Sequence, residues 1–382
     1  MSNIISIFAP YNSTLIDMEN FIVSARKYRP ATFASVVGQE HITTTLKNAI
    51  RTGQLAQAFL FCGPRGVGKT TCARILAKTI NCTNPTADTE ACGECESCRS
   101  FAEGSSMNIF ELDAASNNSV DDIRNLADQV RVPPQTGRYK VYIIDEVHML
   151  SPSAFNAFLK TLEEPPAYAK FILATTEKHK IIPTILSRCQ VFDFKRIQSD
   201  AIVNHLRDIA QKEGIQYEDE ALHIIARKAE GGLRDALSLF DQLVSFTQSN
   251  LTRQLCNENL NQLDYDYYFR LVDYFRAGDI SNSLILYQEV IDKGFDGQHF
   301  ITGLSEHLRN LMVSLDPATH KLMEVSDAVR GRFGEQAVSC GLPLLLRYLE
   351  ISSDYEYRYK EAGNKRLFVE VALMKMAAIT NI

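Results

Sequence analysis

Residues 58–70 read AFLFCGPRGVGKT, an apolar run followed directly by a glycine-rich loop. The loop, GPRGVGKT (63–70), fits the pattern G-x-x-x-x-G-K-[ST], and a helical segment (71–80) comes after it. A strand, such a loop and a helix in this order are typical of a phosphate-binding loop, because the glycines let backbone N–H groups face the phosphates. The stretch therefore predicts a nucleotide site in an α/β sheet.

Individual residues of the loop have predicted roles. Lys69 would reach the β- and γ-phosphates, and the Thr70 hydroxyl would join the shell of a Mg²⁺ ion. A glycine-rich turn before an ordinary helix is the alternative, and the lysine, the threonine and the flanking strand together disfavour it. The residues predicted to bind the nucleotide at this loop are Gly63, Gly66, Val67, Gly68, Lys69, Thr70 and Thr71.

A second segment, VYIIDEVH (141–148), ends a buried strand in two acids. Ligands of parallel sheets bind at the carboxyl ends of strands, so Asp145 is predicted to hold magnesium and Glu146 to polarise the attacking water. The alternative is an acidic strand end that pairs with a nearby lysine. His148 either couples the acids to a moving element or packs against the sheet, and packing is slightly favoured.

Short apolar runs alternate with helical patterns up to about Asp200. In one of the helical patterns Phe155, Phe158, Leu159 and Leu162 fall on one face. The alternation predicts a parallel five-stranded sheet covered by helices on both sides. The predicted strands are AFLFC (58–62), IFELD (109–113), VYIID (141–145), FILAT (171–175) and VFDF (191–194).

After about Asp200 the strand pattern disappears and amphipathic helices are predicted up to Ile382. Breaks are expected at Gly231-Gly232, Gly278, Gly294, Pro317 and Pro343. The predicted plan is an α/β domain, a helical lid and an all-helical C-terminal domain. The boundaries are a disordered N-terminal extension at 1–17 (or a start codon assigned too far upstream), the core at 18–197, the lid at 198–245 and the C-terminal domain at 246–382.

The composition excludes several classes of protein. The chain has 382 residues, of which 45% are hydrophobic and 23% are charged, as is usual for a globular protein. No apolar run approaches the roughly 18 to 20 residues that cross a bilayer, and the N-terminus lacks the basic region of a secretory signal. An intracellular protein without membrane contacts is expected. The net charge of −6 gives no global attraction to nucleic acid.

Four of the nine cysteines form a cluster with the spacing C-x₉-C-x₂-C-x₂-C. Such spacing is typical of a tetrahedral zinc site, and four sulfur ligands leave no position for a substrate, so the metal would be structural. An iron–sulfur cluster, unpaired thiols and disulfides are the alternatives; a nucleotide site argues against an oxidising compartment. The predicted ligands are Cys82, Cys92, Cys95 and Cys98.

Nine blocks, which cover residues 21–245 almost without a break, resemble the gamma/tau family of ATPase subunits of bacterial DNA polymerase III clamp loaders, which are AAA+ proteins. The cysteine insert and the blocks ILSRCQ and LEEPP are more specific than the phosphate loop. The blocks are ARKYRPATFASVVGQEH (25–41), GPRGVGKT (63–70), the cysteine insert (82–98), ELDAASN (111–117), VYIIDEVHMLS (141–151), FNAFLKTLEEPP (155–166), ILATTE (172–177), ILSRCQ (185–190) and EGGLRDALSLFDQ (230–242).

The resemblance implies roles for further residues. Arg188 matches the arginine finger that completes the site of a neighbouring subunit, and Thr176 matches the sensor that orients the attacking water. Arg234 matches the second sensor, on the lid. The stretch YRPATFASVVGQ (28–39) matches the segment that wraps the adenine, and Val36 and Val37 would supply its apolar contacts. For both arginines, an ordinary surface salt bridge is the alternative. The family also carries a zinc module at the position of the cysteine cluster.

The implied function is ATP-dependent loading of the sliding clamp onto primed DNA, in which ATP binding opens the clamp and hydrolysis releases it. The implied partners are the delta and delta-prime subunits, further copies of this chain, the beta sliding clamp and primer–template DNA, with residues 246–382 as the oligomerisation collar. ATP, Mg²⁺ and Zn²⁺ are the implied cofactors. A cytoplasmic location at the nucleoid is implied, and nucleotidyl transfer by the holoenzyme would not lie on this chain.

Three other functions compete with this interpretation. The sequence DEVH also fits a DExH-box helicase, but the helical C-terminus offers no second motor domain. A non-catalytic scaffold would not need an intact phosphate loop. Another AAA+ remodeller, acting on proteins or on Holliday junctions, is disfavoured by the cysteine insert and by the Ser-Arg-Cys block.

Overall fold

The computed structural model describes residues 22–134, 137–247, 249–260 and 262–379. The predicted disordered extension at 1–17 lies outside these residues. The central element is a five-stranded parallel sheet with the order β2-β3-β4-β1-β5. Its strands are β1 (Ala58–Cys62), β2 (Ile109–Asp113), β3 (Lys140–Asp145), β4 (Ala169–Thr175) and β5 (Gln190–Asp193). The predicted α/β class is confirmed, and each strand lies within two residues of its predicted position.

The sheet brings the ends of distant segments to one edge. Strand β1 lies between β4 and β5, with Cys62 opposite both Thr175 and Asp193. Asp145 ends β3 opposite Asp113 of β2. The three central strands are buried nearly throughout because helices cover both faces. The loops that carry polar residues therefore emerge together at the carboxyl edge.

Helices of the first domain cover both faces of the sheet. Phe59 and Phe61 pack on one face with residues of the helix that follows the glycine-rich loop, whereas Leu60 packs on the other face with Phe158. This alternation along β1 is the side-chain period of a strand. The helices are α1 (Ser24–Lys27), α2 (Glu40–Thr52), α3 (Lys69–Ile80), α4 (Glu96–Ala102), α5 (Val120–Val130), α6 (Pro152–Glu163) and α7 (Pro183–Leu186).

Four helices after the sheet enclose an apolar cluster of their own, which extends to Cys256. They are α8 (Ser199–Glu213), α9 (Asp219–Lys228), α10 (Leu233–Phe246) and α11 (Arg253–Asn259). The expectation that no strand follows Asp200 was wrong, because β6 (Gln216–Tyr217) and β7 (Asn250–Leu251) form a parallel pair. Two-residue strands are too short to show periodicity in a sequence. The boundary at 245/246 stays a prediction.

From Tyr265 onward the residues that the structure describes form helices and their connections, as predicted, and they contain the largest of the apolar clusters. Gly278 adopts a left-handed conformation (φ 69°) at the end of one helix, where it was expected to break the pattern. Pro343 lies in the first turn of the helix Leu342–Arg358. The helical pattern is therefore interrupted at Gly341, before that helix, and not at Pro343. The helices are α12 (Tyr265–Ala277), α13 (Ile280–Asp292), α14 (Gly297–Ser314), α15 (Asp327–Cys340), α16 (Leu342–Arg358) and α17 (Lys365–Ala378).

Among the residues that the structure describes, none of these helices combines the length and the apolar character needed to cross a membrane.

Candidate nucleotide-binding site and cysteine cluster

A cavity of about 470 Å³ lies between the sheet and the lid. This volume falls within the usual range for small-molecule sites. The predicted nucleotide-binding residues that line it are Val36, Val37, Gly66, Val67, Gly68, Lys69, Thr70 and Thr71, together with Asp145, Glu146 and Arg234. Of the residues predicted for the nucleotide site, Gly63, Thr176 and Arg188 do not line the cavity.

The glycine-rich loop takes the conformation that its sequence requires. Gly66 (φ 76°) and Gly68 (φ 101°) are left-handed, a conformation that other residues rarely adopt. Lys69 is buried, and its Nζ donates hydrogen bonds to the carbonyl oxygens of Gly63 (2.9 Å) and Pro64 (2.8 Å). Burial lowers the pKa of Lys69, while Glu146 and Asp145 act in the opposite direction. Lys69 therefore lies at the wall of the cavity with its Nζ held by the backbone of the loop.

Thr70 and Asp145 form a direct contact across the cavity floor. The Thr70 Oγ1 donates a hydrogen bond of 2.6 Å to Asp145 Oδ2, and the backbone N–H of Glu146 donates one of 2.9 Å to Asp145 Oδ1. A hydroxyl and a carboxylate are the oxygen donors that Mg²⁺ prefers in proteins. These two residues would therefore suit a magnesium ion at the glycine-rich loop.

Glu146 links the cavity to Thr176 behind it. Its backbone is left-handed (φ 47°), which is uncommon for a residue other than glycine. Its Oε2 accepts hydrogen bonds from the backbone N–H (3.2 Å) and the Oγ1 (3.0 Å) of Thr176. The structure therefore places Thr176 on the acid, although Thr176 does not line the cavity.

His148 is packed and also lies between two carboxylates. The side chain is only 6% exposed; its Nδ1 lies 3.4 Å from Glu146 Oε2 and its Nε2 lies 3.1 Å from Glu177 Oε2. The Nδ1 is also 3.0 Å from Thr175 Oγ1. The favoured packing interpretation agrees with the burial. The contacts show, in addition, a polar connection from Glu146 to the surface loop after β4.

The lid meets the glycine-rich loop directly. The backbone N–H of Arg234, in the first turn of α10, donates a hydrogen bond of 3.3 Å to the Gly66 carbonyl oxygen. A Cβ atom on Gly66 would lie 3.3 Å from the Cα of Gly232, so the two backbones are in close contact. A change in lid angle would therefore move Arg234 relative to the loop.

Arg29, which lies in the stretch 28–39 that the resemblance assigned to the adenine but had no individual role, is part of the cavity wall. Its Nε donates a hydrogen bond of 3.2 Å to Thr71 Oγ1. Burial lowers the pKa of Arg29, as does the neighbouring Arg74, while Glu111 raises it. Arg29 lies 42 positions before Thr71, so no local pattern connects the two. Other lining residues to which the sequence analysis gave no individual role are Val23, Ala25, Arg26, Tyr28, Pro30, Arg65, Ile197, Leu233 and Leu237.

Arg188 lies away from the cavity of its own chain, between α7 and β5. Its guanidinium donates hydrogen bonds to the Thr184 carbonyl oxygen (2.8 Å) and to Glu163 Oε1 (3.0 Å). The side chain is 35% exposed. The contact with Glu163 is the surface ion pair that was considered as the alternative, and the role in trans stays a prediction.

The four clustered cysteines meet at one point. Their sulfur atoms all lie within 4.8 Å of one another, with Sγ–Sγ distances of 3.5 Å for Cys82–Cys92 and 3.9 Å for Cys82–Cys95. A tetrahedral zinc ion with Zn–S bonds of 2.3 Å would require separations of about 3.8 Å. None of the nine cysteines forms a disulfide. The cluster is compatible with zinc.

The sheet, the glycine-rich loop, the acid pair and the lid arginine together define an AAA+ nucleotide-binding protein. A family model described as DNA polymerase III, delta subunit, matches residues 38–198. A second model, DNA polymerase III clamp loader subunit, ATPase lid domain, matches residues 201–249.

Curated relatives agree with these models. DNA polymerase III subunit gamma of Buchnera aphidicola is 39% identical over 299 residues, which are 77% of this chain and 79% of that protein. The tau subunits of Bacillus subtilis and Escherichia coli are 43% and 44% identical, over 92% and 94% of this chain. The chain belongs to the DNA polymerase III gamma/tau subunit family, and the predicted resemblance is confirmed. It spans 62% and 56% of the lengths of these two tau subunits.

Proposed function

We propose that this chain is an ATPase motor subunit of a DNA polymerase III clamp loader. The observation that carries the proposal is the contact between Thr70 and Asp145 beneath the phosphate loop, in a chain of the gamma/tau family. ATP binding would open the ring-shaped beta clamp, and hydrolysis would release it around primer–template DNA. Nucleotidyl transfer would lie on other subunits of the holoenzyme.

The residues at the cavity would have different roles in ATP hydrolysis. Lys69 and the loop N–H groups would bind the β- and γ-phosphates, and Thr70 and Asp145 would hold the magnesium ion. Bound magnesium neutralises charge on the phosphate oxygens. Glu146 would orient the attacking water, and Thr176 would control where the Glu146 carboxylate points. Val36 and Val37 would contact the adenine.

Two arginines would connect nucleotide sites to the lid and to a neighbouring subunit. Arg234 would connect the lid angle to the γ-phosphate, because it lies against the glycine-rich loop. Arg188 would leave Glu163 and serve a nucleotide bound by a neighbouring subunit. An arginine supplied in trans accelerates phosphoryl transfer by about 10³ to 10⁵. Its position outside the cavity of its own chain supports this assignment.

The assembly would include the delta and delta-prime subunits and further copies of this chain, held by a collar of residues 246–382. Several large apolar side chains of this domain are exposed, among them Val338, Leu342, Leu346 and Tyr357, which supports a role in subunit contacts. The cysteine cluster would hold one structural zinc ion. A cytoplasmic location, at the nucleoid through the replisome, follows from this role.

The decisive experiment measures ATP hydrolysis by the chain with delta, delta-prime, the beta clamp and primed DNA, omitting one component at a time. Stimulation should require the clamp and primed DNA together. Stimulation by DNA without the clamp would instead favour another AAA+ remodeller or a helicase-type ATPase. An unstimulated ATPase in the complete mixture would contradict the proposal.

A further inference from the structure

The loop between the first two cysteines of the cluster carries a buried acid. Glu90 is only 8% exposed, and its carboxylate accepts hydrogen bonds from the backbone N–H groups of Phe33 (2.9 Å) and Ala34 (3.0 Å). The Lys47 ammonium of α2 lies 2.7 Å from the same carboxylate. Hydrogen bonds that involve a charged group are stronger than neutral ones. Glu90 therefore ties the cysteine segment to the chain 57 positions earlier.

The segment that Glu90 holds continues into the wall of the nucleotide cavity. Phe33–Ser35 is a short 3-10 helix, and the Val36 N–H closes it with a hydrogen bond of 3.2 Å to the Phe33 carbonyl oxygen. Val36 packs in the apolar cluster of the core, and Val37 packs against that of the lid. Both valines line the cavity. The contact made by Glu90 therefore fixes the backbone directly before the apolar wall.

The place of Glu90 depends on the cysteine cluster. Residues 83–88 are exposed, and a segment that buries so little cannot offset its own conformational entropy. A turn places Glu90 two positions before Cys92: the Thr86 N–H donates to the Glu90 carbonyl oxygen (2.9 Å), and the Glu90 N–H donates to Thr86 Oγ1 (3.1 Å). Cys82 and Cys92 anchor the two ends of this loop.

We propose that Glu90 is a positioning residue through which the cysteine cluster orders the apolar wall, residues 33–37, of the nucleotide cavity. The proposal rests on the proposed function, since it presupposes that the cavity binds ATP with its adenine against this wall. Glu90 does not line the cavity and acts through the backbone of Phe33 and Ala34. The cysteine cluster then helps to form the proposed adenine site, in addition to holding its own surface loop in place.

The test compares two ligands that share the phosphate site, Mg²⁺–ATP and inorganic tripolyphosphate, by calorimetry on the full chain. In Glu90→Ala the affinity for ATP should fall about tenfold if the wall is ordered about a tenth of the time. The affinity for tripolyphosphate should stay unchanged, because the glycine-rich loop is intact. Asp88→Ala removes an exposed acid from the same loop and should match the wild type for both ligands.

Hydrogen exchange provides a readout that does not depend on any ligand. The amides of Phe33 and Ala34 should exchange faster in Glu90→Ala than in the wild type or in Asp88→Ala. Glu90→Gln keeps one carbonyl oxygen that can accept from one of the two amides, so its exchange and its ATP affinity should be intermediate. Wild-type chain that has been stripped of metal by a chelator, dialysed to remove the chelator and returned to Mg²⁺ should show the same loss of ATP affinity, with tripolyphosphate binding retained.

The outcomes separate the two proposals. If the wild type does not bind ATP, the proposed function fails whatever Glu90 does. If the wild type binds ATP but Glu90→Ala keeps its affinity and its exchange rates, the coupling is overturned. If Glu90→Ala binds neither ATP nor tripolyphosphate, hydrogen exchange in Glu90→Gln decides between the outcomes. Faster exchange of the Phe33 and Ala34 amides than in the wild type supports the coupling, and unchanged exchange overturns it.

Discussion

The Thr70 hydroxyl lies 2.6 Å from the Asp145 carboxylate, although 75 positions separate the two residues in the chain. Thr70 lies in the first turn of the helix after β1, and Asp145 ends β3. Their contact joins the glycine-rich loop to the acidic end of β3, and Lys69 and Glu146 lie at the wall of the same cavity. Changes to any of these residues should therefore affect nucleotide chemistry before they affect the fold.

Replacement of the phosphate-loop lysine should abolish nucleotide binding. In Lys69→Ala the positive charge that would face the β- and γ-phosphates is lost, so a titration with ATP should show no saturable binding. The chain should still fold, because its apolar clusters are untouched, and circular dichroism checks this. Lys78→Ala, at the other end of α3, is the matched control and should bind ATP normally. Near-native affinity in Lys69→Ala would refute the assignment of the loop.

Thr176 should affect catalysis without affecting binding. Thr176→Val removes the hydroxyl that donates to Glu146 but keeps the shape of the side chain. We expect stimulated ATPase activity to fall by about 10- to 100-fold, with ATP affinity unchanged, because only the orientation of the Glu146 carboxylate would be lost. Thr176→Ser keeps the hydroxyl and should retain most of the activity. Equal losses in both variants would show that the hydroxyl has no such role.

Arg188 tests mechanism and assembly together. Arg188→Ala should leave ATP binding to the isolated chain nearly unchanged and lower the stimulated ATPase of the assembled complex by about 10³ or more. Glu163→Gln removes the same ion pair but keeps the arginine, so it should remain active.

Mixing the arginine variant with the lysine variant provides a second test of Arg188. Arg188→Ala chains combined with Lys69→Ala chains should recover some activity, since a mixed interface pairs an intact loop with an intact arginine. Weakened ATP binding in isolated Arg188→Ala would place the arginine in cis and contradict the assignment.

The purified chain should contain about one zinc ion and show no iron–sulfur absorbance. Structural zinc in small peptides is bound with about 10–16 kcal/mol, so dilution should not remove it. Cys95→Ser should lower the zinc content, whereas Cys340→Ser, outside the cluster, should leave it unchanged. Metal analysis and thiol titration check both statements. Four freely reactive thiols in a stable metal-free chain would exclude the site.

The buried His307 should make the C-terminal domain sensitive to acid. Its side chain is 1% exposed, and burial lowers its pKa to about 3 from an ordinary 6.5. Between these values the unfolded chain binds a proton that the folded chain does not, so stability falls as the pH falls from about 6.5 toward 3. The slope should approach about 1.4 kcal/mol per pH unit.

Denaturant unfolding of the wild type and of His307→Phe checks this expectation. The phenyl ring keeps the packing against Phe269 and Phe333 but leaves Gln336 without one partner, which costs the same at every pH. Between pH 7 and 5 the free energy of unfolding should therefore fall less steeply in the variant. Identical slopes would show that another group controls the response to acid.

The sequence by itself identified the candidate sites whose residues lie close together in the chain. Local sequence patterns were enough to find the glycine-rich loop, the acidic end of β3 and the cysteine cluster, because each occupies one short segment of the chain. The apolar runs likewise predicted all five strands of the sheet, because buried strands of this length have few polar positions. The pair formed by β6 and β7 left no such pattern in its two-residue strands.

Only the tertiary structure decided which distant segments meet. Arg29 contacts Thr71, His148 lies between Glu146 and Glu177, and Glu90 holds the amides of Phe33 and Ala34. Such contacts follow from strand order and from close packing of helices on a sheet, and they leave no periodic pattern in the chain. Whether two residues far apart in the chain form a hydrogen bond depends on whether the fold brings them together.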